Sequence, residues 1–205
     1  MDPAVAALSF QVLFAAIAFG WRSVQQWQRT GSTGFVAHRE RGAAAKAAGI
    51  ALTAGVVLLV AGTAVVERAT WEAREVAGIL VMVAGFTVTL VAQRAMKDSW
   101  RIGVHPTERT ELVSAEPFAW VRNPVFTGML TFAAGTLLVV PSRLTACGAA
   151  ALVVGIVAQV LLVEEPHLRF QHGAAYDAYV TRSGRFLPAS GEVEDPRHPS
   201  SRPSP

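Results

Sequence analysis

The sequence predicts an all-α fold, a polytopic membrane protein of about five transmembrane helices with a C-terminal segment on the cytoplasmic side. Three observations predict it. Of the 205 residues 52% are apolar and only 16% charged, whereas a soluble domain carries about a quarter charged. The apolar residues also come in uninterrupted blocks that match a hydrocarbon core about 30 Å thick. Finally, the basic residues are divided unevenly between the segments that link those blocks. The length is that of one domain, and residues 1–188 read as a single membrane domain.

The blocks follow in order. The first, 5–21, reads as a membrane anchor: no basic residue precedes it, and Trp21-Arg22 is not the small-residue cleavage site of a signal peptide. The second is 47–66 and the third 76–92. The fourth, 125–140, is short, but Phe118-Ala119-Trp120-Val121 extends it backward. The fifth is 144–163, and Pro141-Ser142-Arg143 between the last two predicts a tight antiparallel hairpin. Residues 189–205, rich in Pro, Ser and charge, read as a disordered tail.

Orientation follows from the cations. Arg22, Arg29, Arg39, Arg41 and Lys46 lie between blocks one and two. Arg94, Lys97, Arg101, Arg109 and Arg122 lie between three and four, and Arg169, Arg182, Arg185, Arg197 and Arg202 follow block five. Only Arg68, Arg74 and Arg143 remain for the other side, so fifteen stand against three. The positive-inside bias puts the N-terminus outside and the C-terminus in the cytoplasm. All five tryptophans (Trp21, Trp27, Trp71, Trp100, Trp120) fall near block ends, as interfacial anchors do.

Blocks two to five each carry two glycines seven apart: Gly55/Gly62, Gly78/Gly85, Gly128/Gly135 and Gly148/Gly155. Seven residues is nearly two helical turns, so each pair shares a face where helices can approach closely. Room for a ligand between the helices is the alternative. The single cysteine, Cys147, excludes a disulfide framework and reads as a small buried apolar residue. A net charge of +3 without a basic stripe gives no reason to expect nucleic acid, and the five histidines form no metal set. No P-loop or G-x-G-x-x-G occurs.

Three polar stretches could hold chemistry. The first runs Ser99-Trp100-Arg101-Ile102-Gly103-Val104-His105-Pro106 and on to Glu111-Leu112-Val113, a structured loop. The second is Trp120-Val121-Arg122-Asn123-Pro124-Val125-Phe126-Thr127-Gly128. Pro124 suits a first helical turn and Asn123 a cap, so free backbone donors and Arg122 would meet where an anion can bind. The third begins Glu164-Glu165-Pro166-His167-Leu168-Arg169 and continues to Tyr176, Tyr179 and Arg185-Phe186-Leu187-Pro188. Adjacent carboxylates at the end of an apolar span are functional candidates. Glu165 and Arg169, four apart, would pair on a helix unless Pro166 breaks it.

Arg122-Asn123-Pro124-Val125-Phe126-Thr127-Gly128 resembles the R-H-P-x-Y-x-G signature of the isoprenylcysteine carboxyl methyltransferase family. Glu164-Glu165-x-x-Leu168, Gly173-x-x-Tyr176-x-x-Tyr179 and Arg185-Phe186-Leu187-Pro188 are similar to that family's ending, and Ser99-Trp100-Arg101 and Glu111-Leu112-Val113 to its upstream elements. The likeness covers about residues 95–188, and asparagine and phenylalanine at 123 and 126 replace the family's histidine and tyrosine. It implies a membrane methyltransferase using S-adenosylmethionine, with a cytoplasmic-facing cofactor pocket and a lipophilic acceptor arriving from the bilayer. By position, Arg122, Asn123, Pro124, Phe126 and Gly128 would line the cofactor site, completed by Glu164, Glu165, Tyr176, Tyr179 and Arg185. Glu165, Arg122 and Arg169 are the catalytic candidates; Trp100, Arg101 and His105 those for substrate. O-methylation of a prenylcysteine-like carboxylate comes first. A phospholipid amine N-methyltransferase, an NADPH-dependent sterol-type reductase and a non-catalytic scaffold are the alternatives.

Overall fold

The computed structural model describes residues 1–34, 42–66, 70–100 and 112–189. Arg101 and His105, the loop reading as far as Glu111, and all but the first residue of the tail lie outside them. The described chain is helical, with one isolated parallel bridge between Val121 and Gly184 and no strand. Its helices are α1 (Pro3–Thr30), α2 (Ala43–Ala64), α3 (Ala73–Ala95), α4 (Pro124–Val139), α5 (Arg143–His172) and α6 (Ala174–Arg182). Four of these, α1, α2, α3 and α5, are long and apolar enough to cross a membrane. The 16 residues of α4 span about 24 Å at 1.5 Å each, short of a full crossing. The expected count of five thus becomes four by length, with α4 a shorter apolar helix packed along α3.

Two helices outrun their apolar blocks. In α1, Asp2 caps the start by accepting from the Ala4 amide at 2.6 Å, with Pro3 in the first turn. The helix passes through a π-helical stretch, Ala15–Trp21, and stops at Gly31, whose φ of 75° is the left-handed conformation a C-terminal glycine supplies. In α5, Pro166 does not end the helix. A π-helical stretch at Val160–Glu164 precedes it, and such a bulge absorbs the bond that proline's missing N–H removes. Both extensions leave the bundle at the same end, where Trp100, Arg122 and Glu165 also lie.

The glycine pairs lock the bundle into two antiparallel couples. Between α2 and α5, a Cβ on Gly55 would lie 2.6 Å from the Leu152 amide, and one on Gly148 2.6 Å from that of Leu59. Gly62 meets Thr145 and Gly155 meets Leu52 in the same way. Between α3 and α4, Gly85 abuts Phe132 and Gly128, while Gly135 abuts Gly78 and Met82. All eight glycines face a neighbouring backbone, so close packing is the reading that holds. Apolar burial drives no association within lipid, so backbone-to-backbone proximity is what gains dispersion energy. Cys147, next to Gly148, is exposed. The glycine face of α5 turns inward onto α2 and leaves its neighbour outside, contrary to the buried position expected of it.

Helix α1 is held differently. Phe14 stacks on Phe132 at 4.5 Å and meets Phe19 and Phe86 edge-on. Gln11 donates to Thr63 of α2 at 3.0 Å, and Gln93 of α3 donates to the Ala18 carbonyl in the π-helical stretch at 2.8 Å. At the opposite end, Ser142 and Thr145 cap α5 reciprocally, closing the short α4–α5 hairpin as expected. Trp71 there donates to the Met1 carbonyl at 2.9 Å. Trp21, Trp27 and Trp120 are exposed, but Trp100 is 2% exposed and cannot anchor at an interface. It lies under the Arg22 guanidinium, 5.3 Å from the ring centroid, and against Gly34.

Candidate active site

The polar end is organised by the backbone around α4's start. Arg122 and Asn123 amides donate to the Gly184 and Arg185 carbonyls at 2.7 and 3.2 Å, and the Gly184 amide donates to Trp120 at 3.0 Å. Asn123 does not cap α4 with its side chain, as the sequence suggested; that amide donates instead to the Arg185 carbonyl at 3.1 Å. Thr127 donates to the Phe186 carbonyl at 2.7 Å, and the buried Tyr179 hydroxyl donates to Phe118 at 2.8 Å. Residues 183–187 thus form a strap stitched across the N-terminus of α4. Gly184 permits it, since a Cβ there would lie 1.7 Å from the Leu187 carbonyl oxygen.

Under the strap sits Glu165, whose side chain is 10% exposed. Arg185 grips it with two nitrogens, Nε on Oε1 at 2.8 Å and Nη2 on Oε2 at 2.9 Å. Arg122 Nη2 stands 3.6 Å from Oε1. Arg122 also donates through Nη1 to the Val180 and Ser183 carbonyls, while its buried Nε has no hydrogen-bond partner. The bidentate fork holds Arg185's pKa above its ordinary value. Burial, and secondly the charge of Glu165, pushes the Tyr176 phenol up to about 12. Burial likewise pushes Tyr179 up to about 12, against the hydrogen bond with Ser183. Both tyrosines are therefore neutral at pH 7. Arg122, Glu165 and Arg185 together carry one net positive charge beside the open backbone donors of a helix N-terminus.

The expected helical pair of Glu165 with Arg169 is replaced. Arg169 points outward and donates to Asp177 of α6 at 2.9 Å, with both side chains more than half exposed. The strap delivers Arg185 to Glu165 and the segment before α4 delivers Arg122, from sequence distances no periodicity reveals. Gly128 lies in the α3–α4 contact, beside Gly85 and Thr89. Phe126 packs with Phe186 against the cluster of Leu59, Ala133, Leu152 and Ile156. Pro124 is buried in the first turn of α4, and Glu164 is half-buried beside Glu165. So the structure gathers Arg122, Asn123, Glu165, Tyr176, Tyr179 and Arg185 in one place. Sequence reasoning missed Ser183, Gly184 and Thr127, whose backbone or hydroxyl bonds shape the strap. The glycine immediately before Arg185 was the only available signal.

The arrangement suits a zwitterion: Glu165 for a cationic group, Arg122 with the α4 amides for a carboxylate. No curated protein and no solved structure matches the chain. A family model described as phospholipid methyltransferase matches residues 71–175, which is half of the chain and runs from the start of α3 into α6. Arg122, Asn123 and Glu165 fall inside that match, and the strap lies beyond its end. The chain belongs to the phospholipid methyltransferase family and is a membrane methyltransferase.

Proposed function

We propose that the protein transfers the methyl group of S-adenosylmethionine to a lipophilic acceptor held in the bilayer, and that the acceptor group is a carboxylate of prenylcysteine type. The observation that carries this reading is the Arg122–Glu165–Arg185 cluster. Its buried oxygens are engaged by two guanidiniums, so no unengaged base stands in it. An amine acceptor arrives protonated and must lose a proton before it can react. A carboxylate needs no base, only alignment and exclusion of water.

When bound, S-adenosylmethionine supplies a methyl on a positively charged sulfur, displaced in line by an acceptor oxygen as the C–S bonding pair returns to sulfur. The chain's own residues bind and orient. Glu165 receives the donor's ammonium, in exchange for part of its hold on Arg185. Arg122, with its spare Nε, and the first amides of α4 receive the donor's carboxylate. Neutral Tyr176 and Tyr179 wall the site without adding charge. Asn123 and the strap close it from the aqueous side. Five alternating crossings, with α4 completed by residues 118–123, would set this end in the cytoplasm, where the basic residues collect and the donor is made.

The family match favours a second reading, N-methylation of a phospholipid amine. Glu164, half-buried next to Glu165, would then take the proton. Detergent-solubilised protein with labelled methyl donor tests both, offered S-farnesylcysteine against phosphatidylethanolamine. Label in an alkali-labile ester supports the first, and alkali-stable label in the phospholipid the second. Stabilisation by NADPH and not by S-adenosylhomocysteine would sink both.

A further inference from the structure

A second recess lies at the same end of the bundle, between α1 and α3, and shares no residue with the Glu165 cluster. Ile17, Trp21, Arg22 and Gln25 form one wall and Leu90, Gln93 and Arg94 the other. Its polar part holds two arginines and two glutamines and, among the described residues, no acidic one. Its apolar part is the half-buried Ile17 and Leu90 and the 57%-exposed Trp21, on two helices long and apolar enough to cross a membrane.

The two cations differ in kind. Arg22 is 7% exposed and fixed from within, donating to the Gln93 and Lys97 carbonyls and stacked over Trp100. Arg94 is exposed and pairs with no carboxylate among the described residues. A buried cation and an exposed one, beside an aliphatic wall and a tryptophan, match a ligand with an anionic head and an apolar tail. Basic recesses between helices at the cytoplasmic side are where acidic lipid head groups settle. Trp21 is of the residue type that gathers at the membrane–water interface, level with lipid head groups.

We propose that this recess is a binding site for an anionic phospholipid, whose phosphate sits between Arg22 and Arg94 and whose acyl chain runs along Ile17 and Leu90. Its bound lipid bridges α1 to α3, beside the Arg22 contact that holds Trp100 at the start of the α3–α4 connection. The site stands apart from methyl transfer, so it holds whichever acceptor the protein uses.

The test places the full chain in nanodiscs of mixed phosphatidylcholine and phosphatidylglycerol, then counts lipids retained on release by native mass spectrometry. Wild type should retain phosphatidylglycerol in preference. Arg94→Gln should cut that preference about fivefold, the effect of the roughly 1 kcal/mol each basic residue contributes near a membrane surface. Arg182→Gln, an exposed arginine outside the recess, should leave it unchanged. Equal retention of the two lipids by wild type, or an unaltered preference in Arg94→Gln, overturns the proposal. So does displacement of the lipid by inorganic phosphate alone, which would mark a site for the free anion. S-adenosylhomocysteine binding, measured on the same variants, reports on the methyl-transfer site separately.

Discussion

Between α3 and α4 the Phe132 amide lies where a Cβ on Gly85 would be 2.5 Å away. Around Glu165, by contrast, two long side chains reach in from separate segments to meet one carboxylate. The first region is held by the absence of side chains and the second by their charge. Backbones in van der Waals contact cannot yield, so the glycine couples have one arrangement. Arg185, 42% exposed on the strap, can release its partner and turn to a ligand. A rigid frame carrying an exchangeable polar lid is what positions a reaction while still admitting substrate.

The sharpest way to break this contrast is to put methyl groups into the frame. Gly85→Ala and Gly128→Ala should each destabilise by about 2–3 kcal/mol, the upper range for overpacking against a neighbour that cannot move, read as a lowered Tm in detergent. Gly49→Ala, on α2 with nothing within 4 Å of its new Cβ, should be neutral or gain about 0.5–1 kcal/mol from helix propensity. Equal loss in all three would refute the glycine contacts as the source of stability. Next in size, Glu165→Gln should weaken S-adenosylhomocysteine binding about a hundredfold while the bundle's Tm changes little. Unchanged affinity would remove Glu165 from the site.

Gly184→Ala should separate strap from frame. Its Cβ collides with the Leu187 carbonyl, so the strap must shift, and binding should fall roughly tenfold (about 1.4 kcal/mol) with the α2–α5 and α3–α4 couples intact. A matching fall in Tm would show instead that the strap belongs to the frame. The smallest effect is on pH. Tyr176 and Tyr179 carry folded-state values of about 12, above the ordinary 10. Raised values favour the protonated form in the fold, so their contribution is complete below pH 10 and is lost as pH climbs from 10 towards 12. Tm should be flat from pH 7 to 9.5 on this account and decline only above it; an earlier decline would point to other groups.

Much of the frame was legible along the chain. The apolar blocks, the hairpin at Pro141-Ser142 and the seven-residue glycine spacing are local patterns, and each recurs in the structure. Block ends were less legible. Composition marks where the bilayer stops and not where hydrogen bonding stops, so α1 and α5 continue through π-helical stretches into polar sequence. The site was legible as residue types and not as partners: Glu165 was identified, but with Arg169, its neighbour by helical spacing. The pairing with Arg185 spans 20 residues and a turn at Gly173, and nothing in a periodicity carries that far.

The sequence by itself determined that the chain is a helical membrane protein, which faces of its helices are small enough to touch, and which polar residues stand at one end. Those properties depend on hydrophobicity and spacing within single segments. Only the tertiary structure decided which helices couple, α2 with α5 and α3 with α4. It alone laid residues 183–187 over α4 and gave Glu165 two arginines. Such choices are set by complementary surfaces and backbone hydrogen bonds between segments far apart in the chain, and they exist only once the helices have met.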